Sequence, residues 1–163
     1  MHILVDWQTF FAVQAGAAAT LTGLVFVAAS INLSKILTVP GLPGRVAEST
    51  LQFLQVFFVS SAMLIPPHSL TVLGWETMFV AVLAWCGQLI SQIRYVRFRA
   101  GHPRKWLMHR IITTNIASLP LFASAVFLLL GNPIGLHLVV AGFFFSFVSG
   151  IMGAWVLLIE ILR

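Results

Sequence analysis

The residues of this chain that could do chemistry are few and are set into long apolar runs. Glu48, Gln52 and Gln55 stand at i, i+4 and i+7, Gln88 and Gln92 at i and i+4, and Asn115 and Glu160 lie further along. At these intervals side chains share one face of an α-helix. Amides and carboxylates on such a face can hydrogen-bond one another across helices, or line a wet cavity that admits a proton or a polar solute. A second group, His2, Asp6, His68, Glu76 and His137, is an inventory of metal-ligand types, with His2 and Asp6 at i, i+4. It contains no HxxxH or HExxH pair, and scattered loop histidines account for it more simply, so no metal site is assigned. For catalysis, His109 is the one histidine near the first group, and no serine sits in a GxSxG setting. Cys86 has no second cysteine with which to form a disulfide, a redox pair or a thiolate cluster. No cofactor is implied and no enzymatic chemistry is expected.

The elements that position these groups must live in lipid. Of 163 residues, 60% are hydrophobic and 8% charged, with a mean hydropathy of +1.01, whereas soluble domains run near 45–50% apolar and about 25% charged. Nine basic and four acidic side chains cannot cover a water-soluble globule of this length. Most of the surface must therefore face hydrocarbon, which excludes a soluble globular domain. A formal charge of +5 would suggest nucleic acid in a soluble protein. In a membrane protein it is first a statement about topology.

A span needs about 20 mostly apolar residues to cross roughly 30 Å of hydrocarbon. Five segments qualify: Phe10–Leu33, Val46–Ile65, Val72–Ile93, Ile111–Leu130 and His137–Glu160. From Ile111 to Ile159 there is no charge for 49 residues, more than twice a bilayer at about 1.5 Å each. Gly131-Asn132-Pro133-Ile134-Gly135 supplies the turn that makes this run two helices. Pro66-Pro67 separates the second and third segments, and Pro40-Gly41-Leu42-Pro43-Gly44 closes the first connection. Lys35 and Arg45 fall in that first connection, Arg94, Arg97, Arg99, Arg104, Lys105 and Arg110 in the third, and Arg163 after the fifth segment. Five spans put all nine cations on one side, so the N-terminus is expected outside and the C-terminus in the cytoplasm. The first segment reads as a retained span. It lacks a positive n-region, and its 28 charge-free residues from Trp7 to Ser34 exceed a signal core of about 7–15 residues. The longest connection, 17 residues, is too short to fold alone. The chain thus reads as one all-α transmembrane domain over residues 1–163, a bundle of five helices (about 10–33, 46–65, 72–93, 111–130 and 137–160).

In lipid, helices associate through small and polar residues that let backbones approach. The first segment carries Gly16, Thr20 and Gly23, continued by Val27 and Ser30; the fifth carries Gly142, Ser146, Ser149 and Gly153. Both are read as helix-packing stripes. Glu48, Gln52, Gln55, Gln88, Gln92, Asn115 and Glu160 fall in the cytoplasmic half of this topology, where they must face one another or a cavity. A satisfied network that joins helices is the favoured reading, since intramembrane polar pairs are common and worth only about 0.6 kcal/mol each. An ion or solute vestibule is the alternative. Glu160 opposes the negative end of its helix and calls for a cation such as Arg163, Arg94 or Lys35. Pro120 lacks a donor N–H and is expected to kink the fourth segment. The stretch that holds Arg94, Arg97, Arg99, Arg104, Lys105 and Arg110 interleaves cations with aromatics. At a membrane boundary this is interfacial anchoring, with contact to anionic lipid head groups as its further use, and nucleic-acid binding is not expected.

Phe11-Ala12-Val13-Gln14-Ala15-Gly16-Ala17-Ala18-Ala19-Thr20 and on to Ser30-Ile31-Asn32-Leu33, followed by Ile36-Leu37 and Pro40-Gly41-Leu42-Pro43, resembles the start of a family of small bacterial polytopic membrane proteins of unknown function. Ala154-Trp155-Val156-Leu157-Leu158-Ile159-Glu160-Ile161-Leu162-Arg163 resembles that family's C-terminal end. Some members are labelled modulators of the FtsH membrane protease. The resemblance runs the length of the chain in order; it implies a bacterial inner membrane and carries over no active residues.

The function expected from these observations is that of a non-enzymatic interaction or regulatory subunit, acting as a homo-oligomer or within a larger membrane complex. The alternative is an oligomeric ion channel or small-solute transporter with a polar cytoplasmic vestibule. Against a continuous pore, the outer half holds few polar groups besides Gln14 and Glu76.

Overall fold

The structure, a computed structural model, describes residues 2–39, 41–66, 69–98 and 104–162. Six helices and no strand are present among the described residues: α1 (His2–Ile31), α2 (Leu33–Thr38), α3 (Leu42–Leu64), α4 (Leu70–Phe98), α5 (Arg104–Leu129) and α6 (Ile134–Leu162). The first expected segment is corrected at its end. The helix breaks at Asn32 (φ −107°, ψ 19°), whose side-chain amide donates to the Ala28 carbonyl at 2.9 Å, and a short second helix follows. An Asn that satisfies the backbone behind it in this way competes with helix continuation. All five segments begin earlier than the apolar runs do, and α4 and α6 also end later; at the basic end the extensions of α3, α4 and α5 run through Arg45, Arg94, Arg97, Arg104, Lys105 and Arg110, good helix formers outside the apolar stretch. α5 is continuous through Pro120.

Stretches long and apolar enough to cross a membrane lie in α1 (Asp6–Ile31), α4 (Leu70–Arg94) and α6 (Ile134–Ile159), with a shorter apolar run, Ser118–Leu129, in α5. α3, at 23 residues, is about 35 Å long, but Arg45, Glu48 and the two Gln dilute its apolar character.

Turn chemistry fixes where the chain reverses. At the end of α5, Gly131 adopts φ 72°, its N–H donates to the Leu128 carbonyl and the Asn132 N–H donates to the Phe127 carbonyl, both at 2.9 Å. That is a Schellman closure, which needs a residue at positive φ. The Asn132 side-chain oxygen then accepts from the Ile134 N–H at 3.0 Å and starts α6. α3 opens without a side-chain cap, on Gly41 at φ 97° with Pro43 in its first turn, and the Ser69 hydroxyl accepts from Val72 N–H at 3.3 Å to open α4.

Packing follows from these reversals. α3 with α4, α4 with α5, α5 with α6 and α6 with α3 are neighbours, so the four close into an up-down-up-down ring, while α1 packs on the outside of α3. One end of the ring, the turn end, holds the α3–α4 and α5–α6 connections; the other, the basic end, holds the arginine-rich α4–α5 connection. The core is divided accordingly. At the turn end Val56, Val59, Met63, Leu73, Leu121, Leu128, Leu136, Val139 and Phe143 form an apolar cluster with Phe11 and Ala18 of α1. Outside, Phe26, Trp75, Phe79, Phe144, Met152 and Trp155 are all more than half exposed. Such a surface is unlike that of a soluble monomer and is compatible with a membrane protein.

Candidate functional site

The long buried polar side chains gather in and next to the basic half of the ring, while the small hydroxyls of Ser60, Thr77 and Ser124 are buried toward the turn end. Arg45, Ser49 and Gln52 recur at i, i+4 and i+7 on α3 and are buried together with Gln55; Gln88 and Gln92 are buried on α4, Ser118 on α5 and Ser146 on α6. Helical spacing puts them on inward faces, and the antiparallel register brings the faces level. Ser91 Oγ donates to the Gly44 carbonyl at 3.1 Å, Trp85 Nε1 donates to Asn115 Oδ1 at 2.9 Å, and Gln55 Nε2 donates to Ser146 Oγ at 2.7 Å. These bonds tie α4 to α3, α4 to α5 and α3 to α6.

Of the polar residues singled out by spacing, the structure joins three. Gln55 Nε2 donates to Gln52 Oε1 at 2.6 Å as well as to Ser146, and the Ser146 hydroxyl in turn donates to the Gly142 carbonyl at 2.7 Å. Asn115 is drawn elsewhere: its Nδ2 donates to the Ile111 carbonyl at 2.7 Å while Trp85 occupies its oxygen. Glu48 is half-buried on α3. Gln88 is 1% exposed, and neither its amide oxygen nor its nitrogen has a hydrogen-bond partner; the same holds for Gln92 Nε2, Gln55 Oε1 and Thr77 Oγ1. The side chain of Glu160 lies outside the described residues, as do the side chains of Arg97, Arg99, Arg104, Lys105, His109, Arg110 and Arg163. Arg94 is exposed at the basic end.

The two small-residue stripes are placed differently. A Cβ on Gly142 would stand 2.6 Å from Leu121, and one on Gly153 would collide with the Ser49 hydroxyl. Around Gly16 and Gly23 nothing lies within 4 Å, and Thr20 between them is exposed, its hydroxyl donating to the Gly16 carbonyl of its own helix at 2.9 Å. α1 instead packs through Phe11, Ala18 and Val25, a seven-residue spacing on the side of the helix away from the glycines.

Spacing arguments passed over an aromatic cluster at the turn end. Trp7 meets Phe10, Phe11 and His137 at ring-centroid distances of 5.7, 5.9 and 5.1 Å, and Phe10 and Phe11 each lie 6.3 Å from Phe143. It pins the start of α1 to α6. The available signal was the i, i+3, i+4 spacing of Trp7, Phe10 and Phe11, which puts three rings on one face. His137 is thereby an aromatic contact on an exposed helix start, and Glu76 lies half-buried on α4. No group of three His, Cys, Asp or Glu side chains that could hold a metal occurs among the described residues; the side chains of His2 and His68 lie outside them. Cys86 is exposed.

Comparison with known proteins finds no matching family model, no matching curated relative and no matching solved structure.

Proposed function

We propose that this chain is a five-span protein of the bacterial inner membrane, N-terminus outside and C-terminus in the cytoplasm, and that it works as a non-enzymatic interaction or regulatory subunit. It acts as a homo-oligomer or beside a larger membrane complex, and its basic end (Arg94, Arg97, Arg99, Arg104, Lys105, Arg110) rests against anionic head groups on the cytoplasmic side. What carries this reading is the outward face of α1, where no other helix comes within 4 Å of a Cβ built on Gly16 or Gly23 and the exposed Thr20 bonds its own helix. In lipid, apolar surface gives helices no reason to associate, and close backbone approach over small residues does. The resemblance to small bacterial membrane proteins directs the search for a partner to membrane-embedded complexes of that compartment.

The test is cross-linking in native membranes. With Cys86→Ala as background, Gly16→Cys and Gly23→Cys are expected to form adducts with a second copy or a co-purifying protein, while a cysteine at Phe79 on exposed α4 is not. Recovery of monomer alone from all three would remove this reading. A second reading, an oligomeric channel or small-solute transporter, is favoured by one observation: the buried amides Gln52, Gln55, Gln88 and Gln92 share the basic half of the ring. Flux from proteoliposomes above that of empty vesicles would establish it. The apolar cluster filling the turn end weighs against it.

A further inference from the structure

We infer that the basic half of the ring holds an internal site for water, centred on the Gln88 amide and independent of whether the protein conducts anything. Gln88 lies on the inward face of α4 with Thr77, Ala81, Ala84 and Gln92, each at most 5% exposed. Neighbouring contacts set its depth. Gly87 faces Leu51 and Ser91 bonds Gly44, so Gln88 is level with Ser49 of α3 and, through Ser49, with Gly153 of α6. A long polar side chain is thus set among small ones.

The unmet groups on this face are of both kinds. Gln88 Nε2 and Gln92 Nε2 can donate, while Gln88 Oε1 and, from facing α3, Gln55 Oε1 can only accept; none has a hydrogen-bond partner. A buried amide in that condition has given up its water bonds with nothing in exchange. A cation would serve the oxygens alone and an anion the N–H groups alone. Water serves both, and a buried water holds about three such bonds. The apolar cluster from Val59 and Leu73 to Leu136 and Val139 ends the site on the side of the turns, so the water enters from the basic end and goes no further.

Magnetisation transfer from water to amides in bilayer-embedded protein labelled with 15N-glutamine and 15N-leucine tests this. The chain has six glutamines, and single Gln→Leu variants assign their signals. In the unmutated chain the Gln88 amide is expected to build up at least about threefold faster than the backbone amide of Leu121 in the apolar half. Equal rates would mean a dry site and overturn the proposal. Q88L is expected to slow transfer to Gln92 as well, because the shared water is lost; unchanged transfer to Gln92 would show that its water comes from the surface and that no site is centred on Gln88.

Discussion

Along α6, Gly135, Gly142, Gly150 and Gly153 each stand where a methyl group would collide with Leu128, Leu121, Phe53 or Ser49; along α1, Gly16 and Gly23 stand where a methyl group would meet nothing within 4 Å. The two helices have the same kind of small-residue stripe and opposite uses for it. A small-residue stripe states that a backbone can be approached closely, and the connections decide by what. α6 leaves a tight turn beside α5 and closes the ring on α3, so its glycines are met from both sides. α1 is joined to the ring through the Asn32 break and α2, and packs on it through Phe11, Ala18 and Val25, which leaves Gly16 about 160° round the helix from Ala18.

Four substitutions break or sharpen this contrast. The largest effect belongs to Gly142→Leu, which drives a branched side chain into Leu121 and is expected to lower stability by about 3 kcal/mol, read as a fall in the thermal midpoint in detergent. Gly16→Leu is expected to leave stability, read from that midpoint, within about 0.5 kcal/mol of the parent while weakening association about tenfold, or about 1.4 kcal/mol, by cross-linking yield. If Gly16→Leu destabilises the monomer as Gly142→Leu does, the difference between the stripes is void. Ser146→Ala takes from Gln55 its acceptor on α6 and leaves it only Gln52; a loss of about 1 kcal/mol is expected, with thermal unfolding again the measurement. The smallest effect is that of Thr20→Ala. Its hydroxyl bonds its own helix, so stability should change by less than about 0.5 kcal/mol, and a larger drop would reveal an unrecognised contact on that face.

Much of the architecture was legible because lipid simplifies the pattern. Five long helices, the Gly131–Asn132 reversal and the inward polarity of Gln52, Gln55, Gln88 and Gln92 all follow from charge-free length, turn residues and helical spacing. The break at Asn32 was not legible, since one Asn in an apolar run reads as part of it until its side chain is seen on the Ala28 carbonyl. Nor were the pairings. Whether Gln55 meets Ser146 or Gln88 depends on the rotation and register of three helices, and spacing within one helix carries no information about either. The outward turn of Gly16 and Gly23 was hidden for the same reason: stripes on α1 and α6 look alike until their surroundings are known.

The closure at Gly131 makes the α5–α6 reversal a local structure. No charge interrupts the sequence from α5 at Ile111 to α6 at Ile159, and the reversal between them is held by local hydrogen bonds of Gly131 and Asn132, with Ser124 Oγ reaching the Gly135 carbonyl at 2.9 Å. Every one of those partners is within a dozen residues of the other. Because little chain has to be ordered to bring its arms together, the α5–α6 reversal can form on its own contacts, before α6 has closed the ring on α3.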